Sequence, residues 1–380
     1  MARMESAVTE LVLRAICVDR AAPVPLAAQV SQQLVWLIAS GELKAGDRLP
    51  PVRALGERLG INHHTIRAAY AALEAEGLVS MRQGRGTTVL PHAAQNLAQI
   101  APATPTHTIG ILIPGLNPFY HPFLEGIDDA ARDAPWLFFV SYTRESPELA
   151  ARYVDQLVAR RVDGLIVAAG GLDANDGTSK VSRGLPPVVF VDRPEARGHA
   201  VLVDSEGAAF RVTEHLIQHG HRRIGMISGP LTFANLRECY QGYVRALASA
   251  GLSVDLGLVA EEPFFSIEAG RKAADRLLAL PRPPTAIFGA ADLFAIGAMR
   301  AAKERGLRIP EDIAVAGYND IELAALVDPP LTTARAPAYE MGVAAMTMLR
   351  QLMNGERAGP SRVTLDTPLI VRRSCGCSNP

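Results

Sequence analysis

From Thr108 to Met353 the chain alternates short, continuously apolar runs with longer segments whose apolar residues recur at helical spacing. No other feature constrains the fold as strongly. The apolar runs predict strands over 108–114, 137–142, 164–167, 187–191, 201–203, 223–228, 286–289 and 313–317. The periodic segments predict helices over 123–134, 148–160, 206–219, 236–251, 267–279, 293–305 and 339–353. Strands apolar on both sides, with helices between them, belong to parallel sheets covered on both faces, so the fold class is α/β. Such sheets present their ligands at the carboxyl ends of the strands. The alternation runs longer than one sheet needs, and two lobes with a cleft between them are expected.

The preceding stretch has a different texture. Val30, Leu34, Leu37 and Ile38 repeat at helical spacing, and Gly41 ends that run. Pro50-Pro51 opens a second helix that stops at Gly60. Asn62 is placed to cap a third helix, with Ile66, Tyr70 and Leu73 inward and His63, His64, Thr65 and Arg67 outward. Residues 78–81 and 87–90 are expected to pair across the tip Arg82-Gln83-Gly84-Arg85-Gly86. A helix, a turn, a second helix and a basic hairpin form a shape that reads DNA. The last helix suits the major groove, and the hairpin tip suits the minor groove or the phosphates. Between this unit (24–91) and the α/β region (108–376) lies a linker over 92–107, rich in Ala, Pro, Gln and Thr.

Several motifs in the first unit occur in family order. Leu43 to Gly46 leads into Asp47-Arg48-Leu49-Pro50-Pro51-Val52-Arg53, then Leu59-Gly60-Ile61-Asn62 and Thr65-Ile66-Arg67 follow. Leu73-Glu74-Ala75-Glu76-Gly77-Leu78-Val79 and Gln83-Gly84-Arg85-Gly86-Thr87 complete the set. Together they resemble the winged helix-turn-helix domain of GntR-type regulators. The resemblance implies DNA contacts from Arg53, Asn62, His63, His64, Thr65, Arg67, Gln83, Gly84 and Arg85. His63-His64 departs from the Arg, Ser or Thr of many members, which bears on base preference.

The larger region carries a second resemblance. Asn117-Pro118-Phe119-Tyr120 follows the first strand, and Val189-Phe190-Val191-Asp192-Arg193-Pro194 comes later. His219-Gly220-His221-Arg222-Arg223-Ile224-Gly225, Gly229-Pro230 and the run Ile309-Pro310-Glu311-Asp312-Ile313 through Asp320 continue it. Pro329-Pro330-Leu331-Thr332-Thr333 closes the set. This region is similar to the effector domain of LacI/GalR-type repressors, itself similar to periplasmic sugar-binding proteins. The resemblance implies effector contacts from Arg237, Phe265, Asp292 and Asn319, with Phe119, Tyr120, Asp192 and Arg193 on the opposite lobe. Carboxylates, amides and a guanidinium suit sugar hydroxyls, and an aromatic face suits their C–H groups. Ala291 and Asn319 stand where many members carry Asn and Asp, which points to a less hydroxylated or differently placed ligand.

Charge and cysteine content narrow the remaining classes. Lys and Arg number 38 against 39 Asp and Glu, a net charge of −1, so any basic patch is local. Cys17, Cys239, Cys375 and Cys377 are too few and too scattered for a disulfide framework. Glu5, Glu10, Arg14 and Asp19 interrupt any signal-peptide core, and no apolar run reaches the ~20 residues that span a bilayer. A cytoplasmic protein with no membrane partner is expected. His215, His219 and His221 lie close in sequence, but no fourth ligand is near, and Cys375-Gly376-Cys377 lacks partners of its own; no metal and no cofactor are expected. Neither a GxSxG elbow nor a GxxxxGK[ST] loop is present, so no catalytic residue is assigned. The reading is a ligand-responsive repressor, a homodimer on operator DNA, controlled by a sugar or sugar derivative. The alternatives are a solute-binding protein, or a winged helix fused to a cofactor-dependent enzyme-like domain. The first is disfavoured because no signal peptide is expected here while a DNA-reading unit is. The second needs a cofactor lysine, and Lys180, Lys272 and Lys303 lie outside any such motif.

Overall fold

Helix α1 (Leu26–Ala39) buries Val30, Leu34, Leu37 and Ile38, the stripe its spacing predicts. The computed structural model describes residues 9, 11–13, 15–18, 20, 25–39, 43–82, 86–91, 93, 106–168, 186–196, 198–356 and 359–377. Helix α2 (Val52–Leu59) follows Pro51 and ends at Gly60, whose φ of 63° is a left-handed conformation that glycine adopts without a Cβ penalty. Helix α3 (His63–Ala75) starts under an Asn62 cap, with Oδ1 accepting from the His64 N–H at 2.9 Å. Strands β1 (Val79–Arg82) and β2 (Gly86–Val89) pair antiparallel, Arg82 opposite Gly86. The turn before α2 adds to this hairpin, since the Leu49 N–H donates to Thr87 O and the Val89 N–H to Asp47 O, each at 2.9 Å. Tyr70, wholly buried, donates its hydroxyl to Pro50 O at 2.9 Å and so pins α3 to that turn.

Two six-stranded sheets follow. In chain order the elements of the first half are β3 (Thr108–Ile113), α4 (Tyr120–Ala130), β4 (Leu137–Tyr142), α5 (Pro147–Ala159), β5 (Gly164–Val167), β6 (Val188–Val191) and β7 (His199–Val203). Next come α6 (Ser205–Gln218), β8 (Ile224–Ser228), α7 (Ala234–Ser249), β9 (Val259–Glu261), α8 (Ile267–Leu278), β10 (Ala286–Gly289) and α9 (Asp292–Glu304). The chain ends with β11 (Ala314–Asn319), α10 (Glu322–Leu326), β12 (Thr332–Arg335), α11 (Ala338–Met353), β13 (Arg362–Leu365) and β14 (Leu369–Ile370). Strand order is β13-β7-β6-β5-β3-β4 in one sheet and β14-β12-β11-β10-β8-β9 in the other. The pairs β8–β10, β10–β11 and β11–β12 are parallel, and β14 joins antiparallel at the edge.

The second sheet shows why its strands read as unbroken apolar runs. Ile224, Met226, Ala286, Phe288, Ala314 and Ala316 point into one buried cluster, with Tyr243 and Leu247 of α7. Their neighbours Ile227, Ile287 and Val315 point into the other, with Phe294 and Ala298 of α9. Alternation thus splits the side chains between two apolar layers rather than between core and water.

All eight strands expected in this region form, within two residues at each end. The sequence reading omits β9, β12, β13, β14 and α10. β12 was hidden by its polar letters: Thr332 and Thr333 are wholly buried, and Thr333 Oγ1 donates to Asp292 Oδ1 at 2.6 Å. β13 alternates exposed and half-buried residues, as an edge strand does.

The chain divides into two compact units, residues 1–112, 134–165 and 171–188 in one and 113–133, 166–170 and 189–380 in the other. Within the first, Glu76 just beyond α3 forms an ion pair with Arg161 just beyond α5. Within the second, α4 and α11 cross at two glycines: a Cβ on Gly126 would overlap Tyr339 O, and one on Gly342 would overlap Phe123 O. Among the described residues no helix is long and apolar enough to cross a membrane.

Candidate functional site

The winged-helix unit turns one face of α3 outward. Asn62, His63, His64 and Arg67 are exposed and Thr65 is half-exposed, while Ile66, Ala69, Tyr70 and Leu73 are buried beneath them. The His63 and His64 rings lie 4.2 Å apart between centroids. Arg53 is exposed on α2. The structure therefore presents five of the expected contacts on α3 or at its cap, and a sixth on α2. Gln83, Gly84 and Arg85 lie outside the described residues. Arg82 at the end of β1 is exposed and adds a cation beside the tip. Arg82 is the first residue of the basic tip that the sequence predicts, Arg82 to Gly86.

All eight expected effector residues fall in the second unit, and most sit at or just past the carboxyl ends of strands. Asn117 shapes the loop after β3, its Oδ1 accepting the Phe119 N–H at 3.0 Å. Phe119 is half-buried and meets Tyr120 edge-on at 5.2 Å; Tyr120, 7 % exposed, packs on Phe123 and serves the core more than the surface. Phe119 and Phe265 both pack against the two apolar layers of the second sheet. The Phe265 ring stacks on Phe294 at 5.1 Å and lies where a Cβ on Gly229 would be. A glycine after β8 is what lets that aromatic face approach the strand end.

Asp192 follows β6 with φ 54°, a left-handed conformation uncommon for a residue with a side chain. Its carboxylate accepts from Asn235 Nδ2 at 2.8 Å. Burial pushes this carboxyl up to about 7, with Glu238 and Glu195 adding to the rise and the Asn235 hydrogen bond opposing it. Arg193 is 5 % exposed, and its Nε donates to Glu195 Oε1 at 2.7 Å. Arg237 is exposed one turn into α7, with Nη1 3.4 Å from Leu231 O and 3.3 Å from Thr232 O. These are long, weak contacts, and the guanidinium is available to a stronger acceptor.

Asn319 ends β11 with φ 117°, and Asp320 follows with φ 56°. Strain of this kind persists where the surroundings over-determine it, and it gathers at ligand sites. Here Asp320 is clamped by Arg335 at 2.8 Å and Arg372 at 2.6 Å. Asp292 is different from its expected neighbours. It is wholly buried, Oδ1 accepting from Thr333 and Oδ2 from the Ile321 N–H at 2.8 Å. Both oxygens are thus engaged in holding the turn after Asn319. Burial pushes its carboxyl up to about 7 against those two hydrogen bonds.

Two residues at this end of the sheet escaped the sequence reading. Asn235 faces Asp192 from 43 positions away, a pairing no local pattern announces. Ser228 ends β8 wholly buried, its hydroxyl without a partner among the described residues.

Residues 26–89 match the bacterial regulatory proteins, gntR family, and residues 213–375 match a periplasmic binding protein-like domain. The HTH-type transcriptional repressor CytR of Escherichia coli (strain K12) is 35 % identical over 272 residues, covering 71 % of this chain and 79 % of that protein. Catabolite control protein A of Priestia megaterium is 31 % identical over 273 residues, covering 71 % and 82 %. Among solved structures, a transcriptional regulator CelR-cellobiose complex matches with a TM-score of 0.65 at 27 % identity, covering 86 % of this chain and 99 % of that one.

Proposed function

Since the chain belongs to the LacI family of transcriptional repressors, we propose that it is a cytoplasmic homodimer that reads operator DNA through a GntR-type winged helix and answers to a sugar or sugar derivative. The domains are the reader at 24–91, the linker at 92–107 and the effector domain at 108–376; no catalytic step is assigned to any of them. Two readers on a twofold axis would meet the two halves of a pseudo-palindrome, gaining effective concentration over a lone domain. Asn62, His63, His64, Thr65 and Arg67 supply the groove contacts. Arg53, Gln83, Gly84 and Arg85 supply the phosphate and wing contacts.

The single observation that carries the effector reading is the set gathered at the strand ends of the second unit. Two aromatic faces, Phe119 and Phe265, accompany the Asp192–Asn235 pair, Asn319 and a weakly held Arg237. Aromatic faces pack on sugar C–H groups while carboxylate, amide and guanidinium groups bond hydroxyls. The cellobiose in the CelR complex supports a carbohydrate-like ligand for this fold. Tyr120 and Asp292 act here from behind, one packing under Phe119 and the other fixing the turn after Asn319. Arg193 orients the loop after Asp192 through Glu195.

A thermal-shift screen of the full chain against sugars and nucleosides tests the reading, because a ligand that binds only the native state raises the melting temperature. A hit that also changes the anisotropy of a bound, library-selected duplex supports it. Binding of the duplex with no response to any hit would sink the effector half and leave the DNA half standing.

A further inference from the structure

We propose that His215, His219, Cys375 and Cys377 form a tetrahedral zinc site that fastens the C-terminal segment to α6. Neither half of this constellation looks like a site in sequence. The histidines have no fourth ligand nearby, and Cys375-Gly376-Cys377 is too short to close a site alone. The fold supplies each half with the other across 160 residues.

Three of the four ligating atoms already cluster, and the fourth, Cys375 Sγ, touches two of them. His215 Nε2 lies 3.2 Å from Cys375 Sγ and 3.5 Å from Cys377 Sγ, and His219 Nε2 lies 3.0 Å from Cys377 Sγ. The two sulfurs are 3.3 Å apart, and both cysteines are free thiols. The ligating atoms of His215, His219 and Cys377 all fall within 4.8 Å of one another. Zinc bonded tetrahedrally at about 2.3 Å to sulfur and about 2.0–2.1 Å to nitrogen needs ligand separations of roughly 3.3–3.8 Å. These four spacings lie at or just below that range, so a small outward relaxation seats the ion on His215, His219 and Cys377, and Cys375, which is not in that group of three, closes onto it to complete the shell.

The supporting contacts also fit. His215 and His219 are four residues apart and share one helix face, their rings 4.4 Å apart. His219 Nδ1 lies 2.8 Å from His215 O, so it carries the proton and leaves the Nε2 lone pair facing Cys377. The Thr332 hydroxyl donates to Cys375 Sγ at 3.1 Å, as an outer partner of a thiolate does. Gly376 has φ 94°, a turn that brings both sulfurs to the same side. Two nitrogens and two sulfurs in a tetrahedron select zinc among the common divalent ions, and four protein ligands make a structural site without an open position.

Such an ion would tie down a strategic segment. Ser374, beside Cys375, donates to Val315 O at 2.6 Å and accepts from the Thr332 N–H at 2.8 Å. Arg372 bonds Asp320, next to Asn319. The clasp therefore braces β11 and β12 behind the effector residues.

The test uses the full chain, purified through a tag without histidines and without chelators. Elemental analysis should find stoichiometric zinc. Cobalt(II) added to the stripped protein should give thiolate charge-transfer absorption and the visible bands of a tetrahedral site. Cys377→Ser, at a partly exposed position, should abolish the charge-transfer band of its thiolate. It should weaken zinc, in competition with a chelator, by more than the roughly 10–100-fold that loss of an outer partner costs. His219→Ala should weaken zinc in the same assay while leaving the circular dichroism of the stripped protein unchanged. Chelation should lower the melting temperature of the parent and not of Cys377→Ser. Absence of zinc after reconstitution, a cobalt spectrum without thiolate bands, or undiminished zinc in Cys377→Ser would each overturn the proposal.

Discussion

The Asn235 amide donates to the Asp192 carboxylate across 2.8 Å, joining the turn after β6 to the first turn of α7. Asp192 makes this contact from a backbone with φ 54°. The bond fixes a carboxylate whose ordinary acidity burial has already weakened, to about 7. On the proposed reading, a ligand hydroxyl would meet here an acceptor already aimed and partly stripped of water.

Asp192→Asn should weaken the effector found by the thermal-shift screen by about 1.5–3 kcal/mol, the worth of a hydrogen bond to a charged group. Calorimetric titration measures it. The ligand-free variant should melt no lower than the parent above pH ~7, because a desolvated charge has been removed. Unchanged effector affinity would place the ligand elsewhere.

Arg67→Ala should cost about 1–3 kcal/mol of affinity for a selected duplex if the side chain bonds a base or clamps a phosphate. Fluorescence anisotropy at matched salt reads it. Since Arg67 is exposed and Ile66 and Tyr70 carry the packing, α3 itself should survive the change. Equal affinity for variant and parent would remove α3 as the reader.

Local chemistry decided what could be read in advance. The Asn62 cap, the Gly60 stop and the inward Ile66, Tyr70 and Leu73 follow from neighbours in sequence, and the structure has them all. Strands β8, β10 and β11 of the second sheet were legible because both their faces are buried. β12 was not, since its threonines look solvated until Asp292, Ser374 and Arg372 are brought to them. The resemblance names expected effector residues by type and position, but not the hydrogen bonds each makes. Asp292 and Asn319 sit in adjacent motifs of the same resemblance, but the fold spends both oxygens of Asp292 on the turn and strains the backbone of Asn319. Pairings such as Asn235 with Asp192 depend on tertiary placement alone.

Asp292→Asn should flatten part of the pH dependence of stability. The carboxyl is raised to about 7 in the folded chain, against an ordinary value near 4 when unfolded. Between those values the folded state keeps a proton that the unfolded state has lost. The contribution to stability is therefore complete below pH ~4 and is lost as pH rises through about 7. Asparagine keeps an acceptor for the Ile321 N–H but cannot ionise. The difference in melting temperature between about pH 5 and about pH 8 should shift in the variant by the loss of this term. An identical difference in parent and variant would show that Asp292 ionises normally.

Gly342→Ala should destabilise the second unit more than an ordinary helix substitution, although alanine is the better helix former by about 1 kcal/mol. The added methyl would overlap Phe123 O, a backbone atom that no rotamer can move. Gly126 faces Tyr339 O across the same crossing, so Gly126→Ala should behave alike, and the pair should be non-additive. Thermal melts of the two single variants and the double decide the matter. A gain in melting temperature would mean that the crossing relaxes freely.

Coupling between effector and operator should be reciprocal. If saturating effector lowers duplex affinity by some factor, saturating duplex must lower effector affinity by the same factor, typically about 5–150-fold. Within the first unit, the Glu76–Arg161 ion pair links the end of α3 to the segment after α5, both partners mostly shielded from water. Neither residue belongs to the expected DNA or effector contacts. Arg161→Ala should therefore leave each separate affinity near its parental value while shrinking the coupling factor. Titrating effector calorimetrically with and without duplex, in parent and variant, gives both numbers. Full coupling in Arg161→Ala would assign the connection to the 92–107 segment alone. Equal effector affinity with and without duplex in the parent would mean that the effector domain is no allosteric input to DNA binding.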